Sequence, residues 1–127
     1  MSKRSKMARE VARRDELYAA LDADPFAVLL MIERQALPPQ LLTFAAERLP
    51  LRMQCRRVML AVREVAETHR RAYVREGALR GLDLLAGYAM TGFGQAAREA
   101  LLRRAEADEN ELLRKMAAEL AEDARPL

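Results

Sequence analysis

Val74-Arg75-Glu76-Gly77-Ala78-Leu79-Arg80-Gly81-Leu82 is the stretch on which the fold turns. A branched apolar residue leads, a small residue follows four positions on, and a leucine eight positions on. On a helix these share one side. Leu41-Leu-Thr-Phe-Ala45-Ala-Glu-Arg-Leu49 repeats the pattern 33 residues earlier. Leu113-Arg-Lys-Met-Ala117-Ala-Glu-Leu-Ala121 repeats it 39 residues later, with Leu120 one position early. Each copy follows another helical segment. Helix pairs recurring every roughly 30–45 residues are the mark of an α-solenoid. The small residue lets a neighbouring helix approach closely.

Working outward, the punctuation separates seven helices. Asp24-Pro25 is a helix start, because Asp caps and Pro is tolerated at the first helical position. Pro38-Pro39 ends one helix and opens the next, and Pro50 closes that one. Gly87 and Thr91-Gly-Phe-Gly94 mark a longer loop, and Asp108-Glu-Asn-Glu111 has capping-box spacing. Leu51, Cys55, Val58, Val62 and Val65 form one face of a long helix. The expected helices are 6–22, 25–35, 39–49, 51–67, 73–86, 94–107 and 110–123, with residues 1–6 as a flexible tail. Phe26 to Ile32 is apolar on every face, so it needs cover from several sides: Val11, Leu17, Tyr18 and Leu21 on one, the 39–49 helix on the other.

Composition agrees with helices. The chain has 127 residues, enough for one domain with a core of its own. Apolar residues make up 51% and charged residues 32%, which excludes global disorder. One Cys and one His exclude a disulfide framework and a zinc site built on Cys and His. The longest apolar run, Phe26 to Ile32, is far short of the roughly 20 residues that span a bilayer. No apolar stretch follows the basic N-terminus, so it does not read as a secretory signal. A cytoplasmic protein is expected. Net charge is +3, and its distribution is uneven: nine basic against five acidic residues from Glu47 to Asp83, five against eight from Glu99 to Leu127. A basic front half and an acidic end follow.

The residues Val74-Arg75-x-x-Ala78-Leu79-x-x-Leu82 and Asp108-x-x-x-x-Leu113-Arg114-x-x-Ala117 resemble the HEAT-repeat family. The resemblance covers residues 25–123 as three degenerate pairs, 25–49, 51–86 and 94–123. It implies an all-α fold: a short right-handed α-α superhelix of about three helix pairs plus an N-terminal helix, filling residues 1–127 as one domain. In this family an Asp in the turn within a pair sits six residues before an Arg, and the two build a ladder between repeats. The resemblance therefore implies that Asp108 contacts Arg114, Arg75 or both. The chain departs from the pattern at His69, six before Arg75, and at Ala36 and Leu42 in the first pair. The apolar spacing alone serves a compact helical bundle equally well.

Catalytic chemistry finds no constellation. His69 lies in a turn with no nucleophile or carboxylate at motif spacing, and Cys55 falls on the apolar stripe. Gly92-Phe-Gly94 lacks the strand and third glycine of a dinucleotide turn. Glu106, Asp108, Glu109 and Glu111 lack the alternating pattern of a calcium loop and suit a helix N-terminus better. Gly77-x-x-x-Gly81 is read as a close-packing site between neighbouring repeats. No enzyme activity, cofactor or metal is expected.

Arg52, Arg56, Arg63 and Arg70 fall at intervals of four, seven and seven, a stripe that Arg71, Arg75 and Arg80 extend. Guanidinium groups recognise carboxylate and phosphate bidentately, so this is the candidate contact surface. Arg75, Leu79 and Arg80 are expected on the exposed side of the middle pair. The function expected is a non-enzymatic protein-interaction module, a small scaffold or adaptor of unidentified partner, with pairing into a homo-oligomer as one way to cover its open ends. The alternative is nucleic-acid binding through the Arg-rich half, with phosphate-backbone contacts that weaken as salt rises.

Overall fold

The structure, a computed structural model, describes the backbone of residues 3–123 and the side chains of residues 13–123. Among the described residues there are seven α-helices and no strand: α1 Lys3–Ala23, α2 Pro25–Glu33, α3 Pro39–Arg52, α4 Arg56–Thr68, α5 Ala72–Ala86, α6 Gly92–Ala107 and α7 Glu111–Asp123. Residues 3–6, expected as a tail, belong to α1; residues 1 and 2, and the Val11 side chain, lie outside the described set. No described helix is long and apolar enough to cross a membrane.

The helix ends follow from local chemistry. Asp24 caps α2, its side chain accepting from the Ala27 N–H at 3.2 Å, with Pro25 in the first turn. Thr91 caps α6 by accepting from the Gly94 N–H at 3.0 Å, and its hydroxyl donates to the Tyr88 carbonyl at 2.6 Å. Ahead of α7 the cap is Asn110, whose side chain accepts from the Leu113 N–H at 3.1 Å. Asp108, expected in that role, is buried and engaged elsewhere. Pro50 does not end α3, which runs through it to Arg52. The ring costs the helix one N–H, and the Ala46 carbonyl loses the donor it would take from position 50. Consequently Leu51 and Arg52 belong to α3, and α4 starts only at Arg56, with Cys55 flanking its first turn instead of lying on its apolar face.

Packing runs from element to element. Helix α1 covers α2 and α3, α3 lies along α5, and α4 and α6 pack on α5 and on each other; α7 closes on α6 and touches α5. The core holds Val28, Leu29, Leu49, Val62, Leu82 and Leu101, all without solvent exposure. The cover over α2 is incomplete: Phe26 and Met31 stay exposed, and the Arg57 guanidinium lies 5.1 Å from the Phe26 ring centre.

The small residues of the three-fold pattern fall on α3, α5 and α7, and Ala45, Ala78 and Ala117 are fully buried. Helix α3 crosses α5 at Gly77 and Gly81. A methyl on Gly77 would overlap the Thr43 carbonyl and hydroxyl, and one on Gly81 would overlap the Ala46 carbonyl. The Thr43 hydroxyl also donates to the Tyr73 carbonyl at 3.0 Å, tying the two backbones together.

Candidate functional site

Two features lie along the edge formed by the α2–α3, α4–α5 and α6–α7 turns. One is a buried ion-pair network, the other a groove.

Arg75, on the first turn of α5, is 4% exposed, and Asp108 is 2% exposed. Arg75 Nε and Nη2 donate to the two Asp108 carboxylate oxygens at 3.0 and 3.2 Å. Arg75 Nη1 donates to the carbonyls of His69 and Arg70 at 2.9 and 3.0 Å. Arg114 Nη1 donates to the Asp108 carbonyl at 2.6 Å. Asp108 thus meets both arginines, Arg75 through its side chain and Arg114 through its backbone. Each arginine reaches the carbonyl six residues before it, at the end of the preceding helix. At His69 the backbone carbonyl serves; the imidazole does not take the place of a carboxylate. The desolvation of His69, then Arg70, Arg71 and Arg75, hold its pKa below the ordinary imidazole value, and its Nδ1 accepts from the Arg71 N–H at 3.1 Å.

The expected contact surface is rearranged. Arg75 and Leu79 are buried and offer nothing to a partner, because Arg75 is consumed by the network and Leu79 is core. The stripe is broken. Arg52 sits on α3 and pairs with Asp22 at 2.6 Å. Arg56 and Arg63 lie on α4, with Arg63 3.8 Å from Glu67. Arg80 is exposed but paired to Glu76 at 2.9 Å. Arg70 and Arg71 are exposed in the α4–α5 turn and have no carboxylate partner among the described residues. Arg57, absent from the sequence reading, makes a two-pronged contact with Glu33 at 2.7 and 2.8 Å, which holds the Glu33 carboxyl below its usual range.

The sequence gives no direct view of the groove. It has a volume of about 670 Å³ and opens between the α2–α3 turn and α4. Ile32, Leu37, Leu42, Leu60, Ala61 and Val65 provide its apolar lining. Glu33 and Glu64 line it too, and Thr68, His69 and Arg70 close the end towards the α4–α5 turn. Those last three residues also line a second hollow of about 400 Å³, which reaches Arg75, Arg104 and Asp108. Glu67, Arg104 and Ala107 are shared with a third hollow of about 500 Å³, where Arg63 and Arg103 face each other across α4 and α6. The three hollows lie beside one another around the carboxyl end of α4, neighbours through these shared residues.

The arrangement can hold an extended or helical segment by its apolar side chains. Comparison of the chain with protein-family models, curated proteins and solved structures finds no match.

Proposed function

We propose that the chain is a non-enzymatic protein-interaction module that holds a segment of a partner protein in the groove between the α2–α3 turn and α4. The observation that carries this is the groove itself: a volume of about 670 Å³ with Leu37, Leu42, Leu60 and Val65 lining an open hollow, edged by charges at both ends. A surface of that form takes the apolar face of a helix or the alternate side chains of a strand.

The scaffold for it, on this reading, is a short right-handed superhelix of HEAT-like pairs α2/α3, α4/α5 and α6/α7, with α1 over the first. Support comes from the two arginine-to-carbonyl contacts recurring 39 residues apart. The Arg75–Asp108 pair joins the second pair of helices to the third.

The test is co-purification of the native protein with whatever it holds, analysed for protein and nucleic acid, beside Leu60→Glu. Leu60 is half-buried and lines the groove, so the variant changes the groove before the core. A protein partner held by the wild type and lost from the variant is expected. A partner retained equally by both contradicts the reading.

Nucleic acid is the second reading, supported by Arg70 and Arg71 standing without carboxylate partners among the described residues. It predicts duplex DNA binding that falls steeply with salt.

A further inference from the structure

Resting on the groove reading above, we infer the chemistry of the occupant: an apolar-faced segment followed by a run of acidic residues, which turns around the carboxyl end of α4 into the hollows beyond Arg70.

The argument starts from continuity. The groove shares Thr68, His69 and Arg70 with the second hollow, and that one shares Glu67, Arg104 and Ala107 with the third. A chain leaving the apolar part at Arg70 therefore meets Arg104, Arg103 and Arg63 in turn.

Those arginines are poorly neutralised. Arg63 and Arg103 reach the same carboxylate, Glu67, at 3.8 and 3.9 Å. Arg104 is 3.9 Å from an Asp108 oxygen that Arg75 already holds at 3.0 Å. These separations exceed hydrogen-bond length, so the guanidinium donors are not satisfied by these carboxylates. Arg104 Nε is buried and has no hydrogen-bond partner, the only such side-chain nitrogen or oxygen among the described residues. Glu106 and Glu109 also face the hollows, but Glu109 is turned to Arg75 at 3.6 Å. The dipoles at the carboxyl ends of α4 and α6 favour cations there. That accounts for where Arg70 and Arg104 sit; Arg70, exposed and without a carboxylate partner among the described residues, has its donors open to an incoming carboxylate.

Charge and shape favour an acidic peptide over a polynucleotide. Glu64 lines the apolar part without a cation partner among the described residues and would repel a phosphodiester track, while Glu33 beside it is taken by Arg57. No Phe or Tyr lines any of the three hollows, so bases would have no stacking platform. An occupant with its carboxylates confined to one end keeps them clear of Glu64 and sets them among Arg63, Arg70, Arg103 and Arg104, which outnumber Glu67, Glu106 and Glu109 beside them once Arg75 and Asp108 are paired off.

The test uses the full chain and synthetic peptides. One carries leucines at helical spacing separated by lysines and ends in a run of glutamates; its twin ends in glutamines. Binding is read by calorimetry and by amide shifts along α4 and α6. The glutamate peptide is expected to bind about tenfold tighter at low salt, an advantage that shrinks as salt screens it. The advantage should fall by more than half in the double variant Arg63→Ala, Arg103→Ala, whose side chains are partly or mostly exposed, with Arg70 and Arg104 left in place; an undiminished advantage overturns the acidic run. Its circular dichroism spectrum should be unchanged. Equal affinity of the two peptides overturns the acidic run and leaves the groove reading standing. Failure of both to bind overturns the groove reading and this inference with it. A DNA oligonucleotide that displaces the glutamate peptide from the same amides overturns the choice of peptide over nucleic acid.

Discussion

Arg75 and Asp108, 33 residues apart in the chain, share a bidentate ion pair that excludes solvent and joins α5 to the turn before α7. All three nitrogens of the guanidinium are engaged, two on the carboxylate and one on the His69 and Arg70 carbonyls. Removing one partner strands a buried charge. Asp108→Ala should therefore lower stability by about 3–5 kcal/mol in urea denaturation. The paired replacement Arg75→Met, Asp108→Leu should recover most of that loss. A single variant near wild-type stability would show that the pair is solvated in solution.

The crossing of α3 on α5 depends on two absent methyl groups. Gly81→Ala pushes a Cβ into the Ala46 carbonyl and against Val62, which lies 3.2 Å from its position. A loss of about 1–3 kcal/mol is expected, and Gly77→Leu should cost at least as much. Gly92→Ala meets nothing within 4 Å and should be neutral or gain about 0.4–1 kcal/mol. Thermal melts of the three variants check the ordering.

Gln35 has a φ of 54°, the only non-glycine residue with positive φ among the described residues. It ends α2 in a Schellman turn: its N–H donates to Ile32 at 3.1 Å, and the Ala36 N–H donates to Met31 at 2.9 Å. Glycine adopts that conformation without the Cβ penalty. Gln35→Gly should raise stability by about 0.5–1 kcal/mol in denaturant titration.

His69 makes stability depend on pH. Burial, then Arg70, Arg71 and Arg75, lower its folded-state pKa below 6.5. The unfolded chain takes up the proton first as pH falls, so folding loses free energy below about 6.5 and is unaffected above it. His69→Asn keeps an acceptor for the Arg71 N–H and removes the titration. The variant should show a flatter stability profile between pH 6.5 and 5, measured by chemical denaturation at each pH.

Asp24-Pro25, the apolar faces and the buried alanines at 45, 78 and 117 were all legible because they depend on local spacing. Pro50 was misleading: a proline inside a helix costs one hydrogen bond, and tertiary packing tolerates it here. Shifting Arg52 onto α3 was enough to break the arginine stripe. Arg75 looked like a surface residue because burial of an arginine depends on a partner, and its partner lies 33 positions away. The groove collects Leu37 from a turn, Leu42 from α3 and Leu60 from α4. Leu60 lies off the α4 face that is buried, and Leu37 sits just before Pro38. Those two leucines were the available signal, and only the fold brings them together.

The most direct test of the interaction-module account is photo-crosslinking from the groove in living cells. A benzophenone side chain replaces Glu64, exposed beside the groove, and in a control replaces Glu122, exposed on α7. The account predicts a discrete protein adduct from position 64 that is absent from position 122 and is lost when Leu60→Glu is added. No adduct at 64, or the same adduct from both positions, would contradict it.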